Sequence, residues 1–271
     1  MRVLALLLFP ALLMAQSGRT SAVAGNGVPR MGGKPDLTGV WQGGSTIAGS
    51  WEEANRGFGV GGSGKDANAP ALPSSNDRVG NGPPYNPEAA KKVLESYRIR
   101  GIDDPTGRCL PPGIPRANTL GLFPIQIVQT PRQVVILYEY MTIFRVIPLN
   151  AKHRDDVEPT YMGDSVGHWE GDTLVVDVTN FNDKTWLGGG TGNFHSEAMR
   201  ITEKYTRIGK DRINYTAIIE DPKVFTKPWV VESSMMLREG THLGEYVCVE
   251  NNLDPGRYEE MIKNGVKFTR P

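Results

Sequence analysis

The chain has no excess of either charge, since 30 basic and 30 acidic residues give a formal net charge of zero over 271 residues. Neither sign forms a long run, so the sequence lacks the basic footprint with which proteins bind nucleic acids or anionic membranes. We therefore expect no nucleic-acid partner.

Histidine and cysteine are scarce, with four and two residues. The histidines stand at positions 153, 168, 195 and 242, without the close pairing, or the accompanying cysteine pairs, that is typical of metal sites. We predict no bound metal. The alternative is a metal site built from His195, Glu197 and a distant carboxylate such as Glu250 or Asp183.

Motifs for nucleotides and for serine nucleophiles are also missing. The glycines at 188–190 are followed by no lysine-serine pair and no helix, and those at 57–64 precede no strand-helix unit. Residues 163–167 imitate the Gly-x-Ser-x-Gly motif of hydrolases, but a predicted hairpin follows them instead of a helix. The sequence therefore favours a function that needs no cofactor.

Only one long apolar run is present, from Val3 to Met14, after Arg2 and before the small residue Ala15. It is shorter than the roughly 20 residues of a membrane-spanning helix, and it is typical of a secretory signal peptide. We expect residues 1–15 to be removed and the mature protein to be periplasmic or secreted, with no membrane anchor.

Composition divides the remainder into two parts. Residues 16–119 are rich in glycine, proline, serine and asparagine, which bury little apolar surface, so we predict an irregular entry segment. It contains one alternating strand, Asp36–Gln42, and one helix, Pro87–Arg98, for which Asn86 is a capping residue. Residues 120–271 form the main part of a β-barrel domain that ends in a short helix at 254–264.

Alternating apolar residues and hairpin-length turns follow one another from residue 124 onward. With the early strand they predict about ten antiparallel strands in an up-and-down order. Closing such a sheet removes its edges, so we predict an all-β, lipocalin-like barrel whose interior holds a small ligand. The predicted strands are 124–129, 133–140, 142–148, 165–169, 173–180, 197–207, 211–220, 228–238 and 243–250.

Several sequence blocks carry a resemblance to known groups. The start Gly39-Val40-Trp41 of a meander resembles the lipocalin, or calycin, class. A more specific resemblance, over about residues 100–255, is to a large group of uncharacterised exported bacterial proteins, which implies no secure general activity. Those relatives often carry histidine where this chain has Val249. The blocks are Cys109-Leu110-Pro111-Pro112-Gly113, Trp169-Glu170-Gly171-Asp172-Thr173-Leu174-Val175-Val176, His195-Ser196-Glu197 and Tyr246-Val247-Cys248-Val249-Glu250-Asn251.

The two cysteines, Cys109 and Cys248, are expected to form a disulfide, because an exported chain reaches an oxidising compartment. The bridge ties the loop before the barrel to the predicted last strand. The chain-entropy model gives it on the order of 4 kcal/mol. A nucleophilic thiol is the alternative, which requires a reduced state and a nearby base.

His195 and Glu197 are the leading candidates for catalysis. They begin a predicted strand whose inward face runs Glu197, Met199, Ile201, Glu203 and Tyr205. A partly desolvated carboxylate on such a face has a raised pKa and suits proton transfer. In the alternative interpretation, Glu197 is salt-bridged and His195 is exposed.

Further polar residues are predicted at the same opening. Tyr140 and Arg145 orient the substrate or stabilise charge, and Trp186 lies in a glycine-rich loop that covers the ligand. Ordinary β-sheet packing of the tyrosines, and a structural ion pair of Arg145 with Glu250, are the alternatives. The predicted substrate-binding residues are Tyr138, Trp186, Asp183, Tyr246 and Glu250.

Two functions fit these residues. One is a cofactor-independent lyase, isomerase or ether-cleaving enzyme that acts on a small, possibly aromatic, molecule in the barrel. The other is a periplasmic carrier that binds a small apolar ligand unchanged. Loss of turnover with retained binding in His195→Ala and Glu197→Gln distinguishes the enzyme from the carrier.

Overall fold

The computed structural model describes residues 22–23, 27–45, 83–98, 104–188, 192–250 and 252–265. The predicted signal peptide, Met1–Ala15, lies outside these ranges, and so do residues 46–82. The described helices are α1 (Pro87–Arg98), α2 (Arg116–Thr119) and α3 (Asp254–Lys263), with 3₁₀ turns at Pro105–Arg108 and Tyr140–Thr142. Among the described residues, no helix combines the length and the apolar character that crossing a membrane takes.

Nine of the described strands form one antiparallel sheet that curls into a nearly closed barrel. The predicted all-β, lipocalin-like fold is therefore confirmed. Three short strands form a separate sheet: β1 (Ala22–Val23), β2 (Pro29–Met31) and β3 (Lys34–Pro35). The barrel strands are β4 (Gly39–Ser45), β5 (Pro124–Gln129), β6 (Gln133–Tyr138), β7 (Ile143–Pro148), β8 (Asp164–Glu170), β9 (Thr173–Thr179), β10 (Arg200–Arg207), β11 (Arg212–Glu220) and β12 (Trp229–Leu237). Around the barrel they follow the order β7-β6-β5-β4-β12-β11-β10-β9-β8.

The predicted strand at 243–250 is wrong. Residues 243–250 are a loop that ends in a turn. The preceding strand, β12, already pairs with β11 on one side and β4 on the other. No free edge of β12 is therefore left for a following strand to join.

The barrel closes between β7 and β8. Strand direction alternates around the antiparallel sheet, and the number of strands is odd. The first and last strands, β7 and β8, therefore run parallel where they meet. Leu149 and Gly167 form that parallel bridge, and the N–H of Asn150 donates to the Gly167 carbonyl at 2.7 Å. A Cβ at Gly167 would lie 2.9 Å from Ile147, so the close approach of the two strands requires glycine.

Inward-facing residues alternate along each strand and fill the barrel. The tryptophan of β4, Trp41, is fully buried and donates from Nε1 to the Leu37 carbonyl at 2.9 Å, so it is a core residue. The apolar core of the barrel strands is made of Trp41, Ile125, Ile127, Val134, Ile136, Ile147, Leu174, Val176, Val178, Ile201, Ile213, Ala217, Ile219, Trp229, Val231 and Met235.

The two ends of the barrel differ. At one end the strands are joined by short turns. At the other, which we call the covered end, lie the start of β10, the end of β11, helices α1 and α2, the described parts of loop 180–199 (residues 180–188 and 192–199) and the loop 221–228. Helix α1 begins with a capping bond from the Ala89 N–H to Asn86 Oδ1 at 2.9 Å, as predicted. Tyr85, just before it, donates to the Phe194 carbonyl at 2.6 Å and so attaches the helix to loop 180–199.

A disulfide joins the covered end to the C-terminal segment. Cys109 and Cys248 are bonded, with their Cα atoms 5.6 Å apart and 139 positions between them in sequence. The predicted bridge is confirmed. It places the loop before β5 beside residues 244–250, and α3 follows.

Candidate active site at the covered end

Thr185 and His195 form a buried hydroxyl–imidazole pair in the loop between β9 and β10. Each side chain is 1% exposed, and Thr185 Oγ1 lies 2.6 Å from His195 Nε2. The other ring nitrogen, Nδ1, lies 2.9 Å from the carbonyl oxygen of Ser196. Because a carbonyl only accepts hydrogen bonds, Nδ1 carries the proton, and Nε2 of the neutral ring accepts from Thr185.

Burial holds His195 in its neutral form. Desolvation disfavours the imidazolium and lowers the pKa of His195, although the nearby charges of Asp221 and Asp183 act in the opposite direction. The edge of the ring packs against Phe181, with the ring centroids 5.9 Å apart. The alternative of an exposed His195 is therefore wrong, and Nε2 is an unprotonated nitrogen in a buried site.

Asp221 fixes the backbone that carries His195. Its carboxylate, at the end of β11, accepts the Ser196 N–H at 2.6 Å and the Ser196 hydroxyl at 2.7 Å. Asp221 is 2% exposed, so these bonds are made away from solvent. They set the position of the Ser196 carbonyl, which in turn orients the imidazole.

The prediction that Glu197 faces the barrel interior is wrong. Strand β10 begins only at Arg200, and the Met199 N–H donates to the Ser196 carbonyl at 3.2 Å, which closes a turn. The alternation of β10 therefore cannot be extended back to Glu197. Its carboxylate pairs with Lys223, both side chains are 58% exposed, and the hydrogen bond from Lys223 lowers the pKa of Glu197.

Trp186 lies in the core. It is 3% exposed and forms an isolated bridge with Phe194 across the loop, so it packs inside the covered end and presents no surface to solvent. The neighbouring Asp183 is exposed. The loop thus places its aromatic residue inward and its carboxylate outward.

Glu203 is the centre of a second polar cluster, inside the barrel. Its side chain is fully buried, and its Oε2 is ion-paired with Nη2 of Arg145. A buried charge is stable only when its lone pairs have donors. The other oxygen, Oε1, accepts from Asn118 Nδ2 at 2.8 Å, from the Tyr215 hydroxyl at 2.8 Å and from the Tyr205 hydroxyl at 3.0 Å.

Arg145 crosses from β7 to β8 within this cluster. It is 4% exposed, and its Nε donates to Ser165 Oγ at 2.9 Å. Its Nη1 is buried and has no hydrogen-bond acceptor among the described residues. Despite its burial, the Glu203 charge keeps the pKa of Arg145 well above its usual value. Arg145 lies inside the barrel, and its ion-pair partner is Glu203; the alternative partner, Glu250, is exposed.

Three tyrosines complete the interior cluster as hydrogen-bond donors. Tyr138 donates to Asn118 Oδ1 at 2.9 Å, and burial raises the pKa of Tyr138 to about 12. Burial also raises the pKa values of Tyr205 and Tyr215 well above 10. All three hydroxyls therefore keep their protons at neutral pH.

Tyr140 and Tyr246 come together outside this cluster. Tyr140 stacks on Phe123 with a centroid distance of 4.9 Å, and the Tyr246 ring lies 5.2 Å from both. Burial raises the pKa of Tyr140. These rings lie next to the segment that the disulfide holds.

The segment 113–118 touches both polar clusters. A Cβ at Gly113, whose φ is +76°, would lie 2.5 Å from Thr185 Oγ1, so glycine is required beside the Thr185–His195 pair. Five residues later, Asn118 binds Glu203, and the Ala117 N–H donates to the Gly113 carbonyl at 2.9 Å. The segment 113–118 therefore links the two clusters.

No group of three or more metal-ligating side chains occurs in the part of the chain that the structure describes. A smaller cluster stands at the β7–β8 connection, where His153 lies between two carboxylates. Its Nδ1 is 2.8 Å from Asp164 and its Nε2 is 2.9 Å from Asp177. These contacts attach the connection to β8 and β9.

Sequence reasoning gave no site role to four residues that make central contacts in the two clusters. Glu203 was recognisable, because a carboxylate that alternates with Ile201 and Tyr205 is unusual on a core face. The remaining three stand on the single turn of α2 or in loops, where no periodicity predicts the direction of a side chain. They are Asn118, Thr185 and Asp221.

Comparisons with known proteins give no family for this chain. No protein-family model, curated protein or solved structure matches it. The residues of the two clusters therefore carry the functional conclusion.

Proposed function

We propose that this chain is an exported, cofactor-independent enzyme that moves a proton on a small molecule at the covered end of its barrel, with His195 as the base. The observation that carries this proposal is the 2.6 Å contact between the Thr185 hydroxyl and Nε2 of a buried, neutral imidazole. A hydroxyl that donates to a basic nitrogen, which a third group orients, is a recurring unit of proton-transfer and nucleophilic sites. Elimination, isomerisation and ether cleavage are the reaction types that such a unit serves.

Each residue of the unit has a distinct part. Thr185 passes a substrate proton to Nε2, and His195 holds it. The carboxylates of Asp221 and Asp183 favour the imidazolium that then forms, because their charges act on the ring. Phe181 beside the imidazole favours an apolar or aromatic substrate.

The proposal also includes export from the cell and membership of the exported bacterial group that the sequence blocks resemble. Export is supported by the apolar N-terminal run and by the Cys109–Cys248 disulfide, a bond that persists in oxidising compartments. Membership of the exported bacterial group is supported by the way its sequence blocks meet. The blocks that contain Cys109, Gly113, His195 and Cys248 lie together at the covered end.

A non-catalytic carrier is the second candidate, and one observation favours it. The interior cluster contains a buried donor, Arg145 Nη1, without an acceptor among the described residues. Such a donor suits ligand binding and needs no turnover.

The test is a screen of the mature protein against a mixed library of small aromatic and carbohydrate compounds, with retention and conversion followed by mass spectrometry. We expect conversion of at least one compound, with turnover lowered by about 10² to 10⁴ in His195→Asn, the usual contribution of a general base. Thr185→Val is expected to lower turnover as well. Glu197→Gln is the matched control, since its side chain is exposed and paired with Lys223.

Turnover that persists unchanged in both His195→Asn and Thr185→Val contradicts the enzyme. Retention of an unconverted compound in the wild-type protein supports the carrier.

A further inference from the structure

We propose that the outer face of strands β5, β6 and β7 is an interface at which two copies of this chain pack face to face about a two-fold axis. The face lies on the outside of the barrel, so the inference goes beyond the proposed function and does not depend on it. It follows from an uncharged, apolar surface and from the charges at the two ends of that surface.

The outward side chains of these three strands form a contiguous apolar patch. Phe144 is 68% exposed and Val146 is 40% exposed, although both lie on a strand of the sheet. Single apolar residues are common on protein surfaces, but a contiguous apolar patch marks a site of interaction. The patch consists of two cross-strand rows in register, made of Gln126, Leu137 and Phe144 and of Val128, Val135 and Val146.

The outer face of β5, β6 and β7 differs in charge from the outer face across the barrel. The outward positions of the three strands, all of which the structure describes, carry no charged side chain. An antiparallel sheet with one face in water normally places polar residues on that face. The core of a protein–protein interface is instead depleted of charge and enriched in aromatic residues. On β10 and β11 the outward charged residues are Arg200, Lys204, Arg212 and Glu220.

Charges at the two ends of the face point to a second copy as its occupant. Arg132 is exposed and immediately precedes β6, whereas Glu139 immediately follows it. Glu139 accepts a hydrogen bond from the Gly244 N–H, which places the exposed Glu245 at the same end. The face is therefore basic at one end and acidic at the other, a pattern that complements itself when one copy is reversed.

Symmetry decides how the two copies align. A two-fold axis along the strands would put each Arg132 opposite the other and each Glu139 opposite the other, so like charges would meet. An axis across the strands reverses one copy. Because the two residues flank β6 symmetrically, Arg132 of each copy then lies opposite Glu139 of the other, and the apolar rows meet between these pairs. Such an interface is closed, so association stops at the dimer.

The first test is the mass of the mature, oxidised protein in solution. Sedimentation equilibrium from about 1 μM to about 1 mM is expected to show monomers in equilibrium with dimers. Phe144→Lys places a charge inside the interface twice per dimer, so we expect the Kd of the dimer to rise about 100-fold or more. Val230→Lys is the matched control, since Val230 is 48% exposed on β12, which β4 separates from β5. Its Kd is expected to stay at the wild-type value.

Paired charge reversals test the alignment of the two copies. Arg132→Glu makes both ends of the face acidic, and Glu245→Arg adds a positive charge at the acidic end. Each variant alone is expected to dimerise about three- to tenfold more weakly at low salt, because exposed charges contribute little singly and each contact occurs twice. A mixture of the two variants is expected to associate more tightly than either variant alone, since the two reversed charges then attract each other across the interface.

A wild-type protein that stays monomeric at the highest concentration overturns the inference, because another protein or another segment of the chain then covers the face. This measurement needs no variant, so it stands if Phe144→Lys does not fold, which circular dichroism shows. A dimer that Phe144→Lys and Val230→Lys weaken equally overturns the choice of face. A mixture of Arg132→Glu and Glu245→Arg that associates no more tightly than the separate variants overturns the two-fold arrangement.

Discussion

The two buried polar clusters stabilise their buried polar groups in different ways. Inside the barrel, the Glu203 carboxylate is ion-paired with Arg145 and accepts hydrogen bonds from three neutral donors. At the covered end, His195 is neutral, and its ring makes two hydrogen bonds, to Thr185 and to the Ser196 carbonyl. A fully bonded charge is costly to change. The neutral His195 ring, whose hydrogen bond to Thr185 can be exchanged, can take up a proton. The interior cluster therefore suits binding, and the cluster at the covered end suits proton transfer.

The elements that hold the clusters differ as well. Most of the interior cluster stands on barrel strands, where β10 and β11 place Tyr205 opposite Tyr215 in register. The cluster at the covered end stands on loops, and one carboxylate, Asp221, fixes the position of its backbone. We therefore expect substitutions inside the barrel to reduce stability most, and substitutions at the covered end to act mainly on function.

Glu203→Ala should have the largest effect. It leaves Arg145 as an unpaired buried charge, so we expect the free energy of unfolding to fall by about 3–5 kcal/mol. Chemical denaturation followed by circular dichroism measures it. The double variant Arg145→Met/Glu203→Gln removes both charges and keeps an acceptor for the tyrosines, so it should be more stable than Glu203→Ala. A double variant that is less stable than the single one contradicts the charge-pair account.

Asp221→Ala should have a smaller effect on stability and a larger one on the His195 site. It removes two hydrogen bonds to Ser196, one of them to a backbone N–H that stays half-buried, and we expect a loss of about 1–3 kcal/mol. Asp221→Asn keeps one acceptor oxygen and is the matched control. Turnover on any compound that the library screen finds should fall in Asp221→Ala. Normal turnover in that variant shows that the carboxylate does not position His195.

Most of the barrel was predictable because periodicity is a local property. Strands β5 to β12 and helices α1 and α3 lie within a few residues of their predicted bounds, because alternation and turn residues can be identified from the local sequence. The disulfide was predictable from the two cysteines and the expected compartment. The segment 243–250 failed because alternation alone does not show whether a partner strand is free, and β4 occupies that edge of β12.

The site was less predictable, as the two glutamates of one region show. Glu197 and Glu203 are separated by six positions, and an uninterrupted strand would put them on the same face. The turn at Ser196–Met199 breaks that relation, so Glu197 lies in solvent and Glu203 in the core. Thr185 and Asn118 could not be predicted for a further reason. Only the folded chain brings Thr185 to His195 and Asn118 to Glu203.

Acidification should distinguish the neutral His195 from the charged interior cluster. The folded pKa of His195 lies below its usual 6.5, so its contribution to stability is present above about 6.5. As pH falls below 6.5 the unfolded chain binds a proton that the folded chain does not, and stability is lost by at most about 1.4 kcal/mol per pH unit. Denaturation at a series of pH values measures this slope. In His195→Asn the part of the slope between 6.5 and the onset of carboxylate titration should be smaller; an identical slope contradicts a depressed pKa.

Glu197→Gln should have the smallest effect, and it tests most directly the difference between an exposed and a buried glutamate. Glu197 and Lys223 are exposed, and exposed ion pairs are screened by solvent, so we expect no measurable change in the denaturation midpoint or in turnover. Glu203→Gln, the same chemical change six positions along the chain, leaves Arg145 without its counter-charge and should lower the midpoint clearly. Both variants are measured in one buffer and at one salt concentration. Equal effects of the two substitutions contradict the assignment of Glu203, rather than Glu197, as the carboxylate inside the barrel.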